Sequence, residues 1–157
     1  MASVQNPTEY LWFLDTLVRI RVPHAQGVDG LSVLEHRAPR GHSPPLHIHH
    51  TEDELFQILA GSFHFKVGDH ERSYVPGEIL LAPKGVSHSY RVDTPSGGRW
   101  ITVTSRGDFE RFVRAASRPA THPILPELDT PLTPDGMSAL SRTAREYGIE
   151  FVGASLR

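Results

Sequence analysis

Short runs of alternating or β-branched residues, cut by glycine and proline, occupy the first two thirds of the chain. Residues 16–22 (TLVRIRV) are rich in β-branched side chains and stop at Pro23. A second run over 31–37 follows the turn-like Gly27-Val28-Asp29-Gly30, and a third over 55–59 ends at Gly61. Phe63, Phe65 and Val67 alternate with His64 and Lys66 before Gly68-Asp69. Residues 78–82 lie between Gly77 and Pro83, then His88, Tyr90 and Val92 alternate with Ser89 and Arg91, and 100–104 is again β-rich. Strands at this spacing, separated by turn signals, predict an all-β sandwich or barrel. No helical pattern lies between them, which argues against a parallel α/β sheet.

The period changes after Gly107. Phe109, Phe112, Val113 and Ala116 fall on one face of a helix, with Asp108 as its N-cap or as an acid in its first turn. Five prolines between positions 119 and 134 predict an extended connector. A second helix follows, with Thr133 as cap, Pro134 in the first position, Gly148 as terminator, and Met137, Leu140, Ala144 and Tyr147 as its apolar face. Both helices are too short to stand alone, so they are expected to pack on the barrel or on a second subunit.

At 157 residues the chain has the length of one domain, with the barrel expected over about 10–106 and a helical extension over about 107–157. Lys plus Arg number 16 against 18 Asp plus Glu, a formal charge of −2, which argues against nucleic acid or a polybasic membrane patch as partner. The apolar run 10–14 stops at Asp15 and no basic region precedes it, so a soluble, cytoplasmic protein is expected. Cysteine is absent, which removes disulfides, thiolate metal sites and cysteine nucleophiles. Histidine is abundant: four of the ten fall between positions 42 and 50.

Residues 41–61 read GHSPPLHIHHTEDELFQILAG. On a strand, His47 and His49 share one face about 7 Å apart, and His50 points away. Two imidazoles on one strand can hold a metal only if other elements complete the set. Glu54 follows a short acidic turn at the start of the next apolar run. His88 opens an alternating set whose apolar members should face inward. His47, His49, Glu54 and His88 are therefore the candidate metal ligands.

The segment Gly41-x5-His47-x-His49-x4-Glu54-x6-Gly61 resembles the first cupin motif at every fixed position, and Gly77-x5-Pro83-x-Gly85-x2-His88 resembles the second. Val92 stands where the second motif would place Asn. The resemblance implies a double-stranded β-helix, or jelly roll, with short C-terminal helices, a metal inside the barrel, and a homodimer. One motif pair implies a single barrel. The phrase Pro44-Pro45-Leu46-His47-Ile48-His49, the acidic Glu52-Asp53-Glu54, the helix beginning Phe109-Glu110-Arg111-Phe112, and the tail Tyr147-Gly148-Ile149-Glu150-Phe151 are similar to quercetinase-like monocupins.

Three imidazoles and a carboxylate suit one divalent first-row metal, whether Fe, Ni, Co, Mn, Cu or Zn. The narrower resemblance implies a metal-dependent dioxygenase that opens a flavonol or related enolisable phenolic substrate with O2, Glu54 serving as ligand and general base. Phe56, Ile58, Phe63, Phe65, Tyr90 and Trp100 are the candidate pocket residues, and barrel core is an equal expectation for them. A metal-containing ligand-binding cupin without turnover, and a Lewis-acid isomerase or hydrolase, are the alternatives. His24, His36, His42, His70 and His122 read as turn or surface residues, His64 as outward-facing, and Glu35 and Arg37 as an exposed edge or the cavity mouth.

Overall fold

The computed structural model describes residues 9–127 and 131–157. Part of the expected proline-rich connector, 128–130, lies outside the described residues. The elements run β1 (Tyr10–Phe13), β2 (Thr16–Val22), β3 (Ser32–Ala38), β4 (Pro45–His49), β5 (Glu54–Ala60), β6 (Phe63–Val67), β7 (His70–Tyr74), β8 (Ile79–Ala82), β9 (His88–Val92), β10 (Gly98–Thr104), α1 (Asp108–Ala116), β11 (Arg118–Pro119), α2 (Pro134–Glu146) and β12 (Ile149–Ser155). They form two antiparallel sheets, ordered β11-β1-β2-β3-β10-β5-β8 and β12-β4-β9-β6-β7. This is the all-β jelly-roll barrel with short C-terminal helices. No helix among the described residues is long and apolar enough to cross a membrane.

Alternation decides which side chains meet between the sheets. Phe56 and Ile58 from β5 and Trp100 from β10 face Phe63 and Phe65 from β6 and Tyr90 and Val92 from β9 in one buried cluster. Phe63, Phe65 and Trp100 stack edgewise or tilted at 5.3–6.0 Å between ring centroids, a geometry that adds to area burial. Gly98 makes this packing possible, because a Cβ there would sit 2.4 Å from the Phe63 ring.

The structure departs from the sequence reading in four places. On β3, the inward face is Ser32, Leu34, His36 and Ala38, so Glu35 and Arg37 face outward rather than into the cavity mouth, on a strand that lies inside its sheet and not at its edge. Val33 and Leu34 are both apolar, so alternation alone left that face ambiguous; Glu35 instead pairs with Arg21 on the outer surface at 3.2 Å. β7 (HERSY) is an exposed, polar edge strand held by pairing with β6. β1 forms a hairpin with β2 through Leu14-Asp15.

The fourth departure concerns the extension, which is not helical to its end. After α2, Gly148 adopts φ +73° and packs where a Cβ would lie 2.8 Å from Thr51. The chain then turns back as β12 and pairs with β4, setting Ile149 opposite His49 and Phe151 opposite His47. Thr133 caps α2 as expected, accepting from the Gly136 N–H at 3.1 Å. Asp108 does not cap α1. Glu52 does, accepting from the backbone N–H of Phe109 at 2.6 Å, Asp108 at 3.1 Å and Arg106 at 3.2 Å. A buried carboxylate there satisfies donors that the helix itself cannot.

Candidate metal centre

The imidazoles come from one sheet and the carboxylate from the other. β4 and β9 pair with His47 directly opposite His88, which brings their rings to 4.3 Å between centroids. His49, two residues along β4, points to the same side, its ring 5.2 Å from that of His88. Glu54 opens β5 across the barrel and pairs in register with Thr104 and Ala82. Its Oε2 lies 3.0 Å from His88 Nε2 and 3.2 Å from His49 Nε2. One donor atom from each of the four residues falls within 4.8 Å of the other three, and all four side chains are buried.

The surroundings orient the rings. His47 Nδ1 donates to the Pro45 carbonyl at 2.7 Å, and His88 Nδ1 to the Val86 carbonyl at 3.1 Å. Each bond leaves the Nε2 lone pair for the centre. Burial, with the neighbouring His88 and His49 rings, holds His47 well below its ordinary pKa, so it presents a neutral donor. Burial also works against charge on His49, but Glu54, Glu52 and Asp108 outweigh it and raise its pKa. Glu52 Oε1 stands 3.6 Å from His49 Nδ1, too long for a hydrogen bond but close enough for attraction. Burial opposes charge on Glu52 as well; the His49 ring and the N–H groups of Phe109 and Arg106 overcome it and hold the carboxyl below its usual range.

Both ring nitrogens of His49 are buried without a hydrogen-bond partner. An orphaned, buried imidazole costs stability unless something else satisfies it. Three imidazoles and one carboxylate converging there fit a divalent transition metal, and their mixed N/O character does not choose among the first-row ions.

The centre opens onto a cavity of about 620 Å³. Among the candidate pocket residues, Phe56, Tyr90 and Trp100 line it. Ile58, Phe63 and Phe65 do not: they lie within the core cluster beneath it, where the narrow interior between β5 and β6 is already filled. The sequence reading missed several wall residues. His36 is buried, stacks on Trp100 at 4.9 Å and bonds Thr102 at 2.9 Å. Burial and the nearby His42 lower its pKa to about 3, so it is neutral. His42 and Asp15 also line the cavity, as do Phe109 and Phe112 of α1 and Met137 and Leu140 of α2. His42 lies inside the first motif's five-residue gap, a signal that was available; Asp15 is remote in sequence from every motif. His50 and His64 point outward, as expected, and pair with Glu150 and Glu71.

A jelly-roll barrel holding a His3Glu donor set defines the class. Residues 33–104 match the family model described as Cupin domain. It is similar in structure to KdgF from Halomonas sp. (19% identity over 61% of this chain and 84% of that one, TM-score 0.53). It is also similar to a predicted oxalate decarboxylase from Thermotoga maritima (20% identity, 58% and 80%, TM-score 0.55) and to an RmlC-like cupin from Shewanella frigidimarina (19% identity, 65% and 89%, TM-score 0.55). Likeness at these identities is one of fold. No curated protein matches the chain.

Proposed function

We propose that this cupin is a metal-dependent dioxygenase of the quercetinase type, acting on a flavonol or a related enolisable phenolic compound. The observation that carries the reading is the pairing of the donor cluster with an apolar, aromatic cavity. Phe13, Phe56, Phe109, Phe112, Tyr90 and Trp100 all line it, and an aromatic wall suits a flat ligand. The volume of about 620 Å³ lies in the range that encloses a small polycyclic ligand.

His47, His49, Glu54 and His88 would hold the metal. When bound, a divalent transition metal supplies Lewis acidity and the means to use O2. The rest falls to the chain. Aromatic walls orient the ligand plane, and α1 and α2 exclude water. Glu54 takes the proton of the enolic hydroxyl, which requires its carboxylate to loosen from the centre as substrate arrives. One flavonol and one O2 then give one ring-opened ester and one carbon monoxide.

The test is oxygen uptake and carbon monoxide release on adding quercetin to the metal-loaded protein. Glu54→Gln is expected to retain metal through three imidazoles and to lose about 10²–10⁴-fold in turnover. Full activity in that variant would remove the general-base role, and no oxygen uptake by the wild type with any phenolic ligand would remove the reading.

A further inference from the structure

A second polar device stands in the cavity wall, apart from the donor cluster. Asp15 Oδ1 lies 2.7 Å from His42 Nδ1, and His42 Nε2 lies 3.2 Å from the Tyr90 hydroxyl. The three residues come from the β1–β2 hairpin, the β3–β4 loop and β9. All three line the cavity, in which the other wall groups are mostly apolar.

Each member is held in place. Leu14 takes φ +55°, a costly conformation for a bulky side chain, at the turn that presents Asp15. His42 is clamped through its backbone: its carbonyl accepts from Val92 N–H at 3.0 Å, and its own N–H donates to Pro39 at 3.2 Å. Its ring lies over Trp100 at 6.2 Å. Burial opposes charge on Asp15, but the hydrogen bond from His42 outweighs it and lowers its pKa. A carboxylate at Nδ1 selects the tautomer protonated there and leaves Nε2 as acceptor for the Tyr90 hydroxyl. The Tyr90 oxygen then has lone pairs free to accept from a ligand.

We propose that Asp15, His42 and Tyr90 form a hydroxyl-recognition post that selects substrates carrying a second hydroxyl group away from the metal-binding one. Tyr90 follows His88 by two residues on β9, so the post stands on the same strand face, about 7 Å along the strand from that donor. That separation suits two oxygen functions on opposite sides of a fused aromatic frame. Tyr90 touches the ligand, His42 aims the Tyr90 hydroxyl, and Asp15 sets the His42 tautomer. This inference rests on the proposed flavonol reading for its ligand class.

The test compares binding of quercetin with that of 3-hydroxyflavone, which keeps the enolic hydroxyl and carbonyl but lacks the remote hydroxyl groups. Wild-type protein is expected to prefer quercetin. Tyr90→Phe and His42→Phe, each close in shape to the residue replaced, are expected to reduce the quercetin-to-3-hydroxyflavone affinity ratio about tenfold, the value of one hydrogen bond. Asp15→Asn is expected to reduce the ratio less and to move the His42 ring ¹⁵N resonances from one tautomer toward a mixture. An unchanged ratio in both Phe variants overturns the post, and unmoved ring resonances in Asp15→Asn overturn the part assigned to Asp15. If wild-type protein binds neither flavonol, the flavonol reading fails, and phenol against toluene decides the post. A phenol preference that His42→Phe removes upholds it; no preference overturns it.

Discussion

The floor of the cavity and its roof are built differently. The floor is barrel: Phe56, Trp100 and the strands beneath them are sealed between two sheets, with Phe56 only 2% exposed. The roof is the extension, where α2 buries only Leu140 and Ala144, and Met137 remains 37% exposed while lining the same cavity. Side chains that must hold donor atoms in register sit on closely packed strands. Those that must admit a ligand sit on a helix attached by a narrow apolar seam. The contrast separates two demands on one cavity, rigidity at the donors and give at the entrance.

Core substitution gives the widest separation. Phe56→Ala is expected to cost about 3–5 kcal/mol in urea unfolding, because the surrounding sheets cannot close the void. A loss under about 1 kcal/mol would mean that the floor is no more tightly packed than the roof.

The acid limb of stability comes next. His36 is buried, neutral and lowered to about 3, whereas in the unfolded chain it titrates near 6.5. As pH falls below 6.5 the unfolded state takes up a proton that the folded state refuses, so stability declines down to about pH 3. That one group gives a slope approaching about 1.4 kcal/mol per pH unit. His36→Phe keeps a ring against Trp100 and is expected to flatten the limb over this window. An unchanged slope would place the acid sensitivity elsewhere.

Glu52 joins the two regions, since it caps α1 and faces His49. Glu52→Ala is expected to cost about 1–3 kcal/mol, by leaving the N–H groups of Arg106, Asp108 and Phe109 without their acceptor. Glu52→Gln, which keeps an acceptor oxygen, should recover much of that loss when the two variants are compared by thermal melting. The smallest effect belongs to the roof: Met137→Ala is expected to cost under about 1 kcal/mol, and a larger loss would erase the contrast with Phe56.

Much of the site could be read locally. The two-residue spacing of His47 and His49 puts them on one face wherever that strand lies, and Gly61, Gly77 and Gly85 mark the turns around it. Helical spacing placed Phe112, Val113, Leu140 and Ala144 on the buried faces of α1 and α2, but it did not show that Glu110 is buried or that Met137 is exposed. The hidden features depend on distant partners. β7 looks like loop because its side chains are polar, and only pairing with β6 makes it a strand. β12 holds three small residues, Gly153, Ala154 and Ser155, with little strand character of their own, and β4 supplies their pairing. Ile58, Phe63 and Phe65 alternate just as Phe56 and Tyr90 do, so periodicity could not divide the core beneath the cavity from the residues that line it.

By itself the sequence determined the donor types, their faces and the strand-rich architecture, because the strand period and turn chemistry act over a few residues. Tertiary structure alone decided that His47 lies opposite His88, that Glu54 reaches them from the other sheet, and that Asp15 meets His42 across the cavity wall. Those contacts depend on sheet register and on which faces pack together, and free energy summed over the whole barrel sets both.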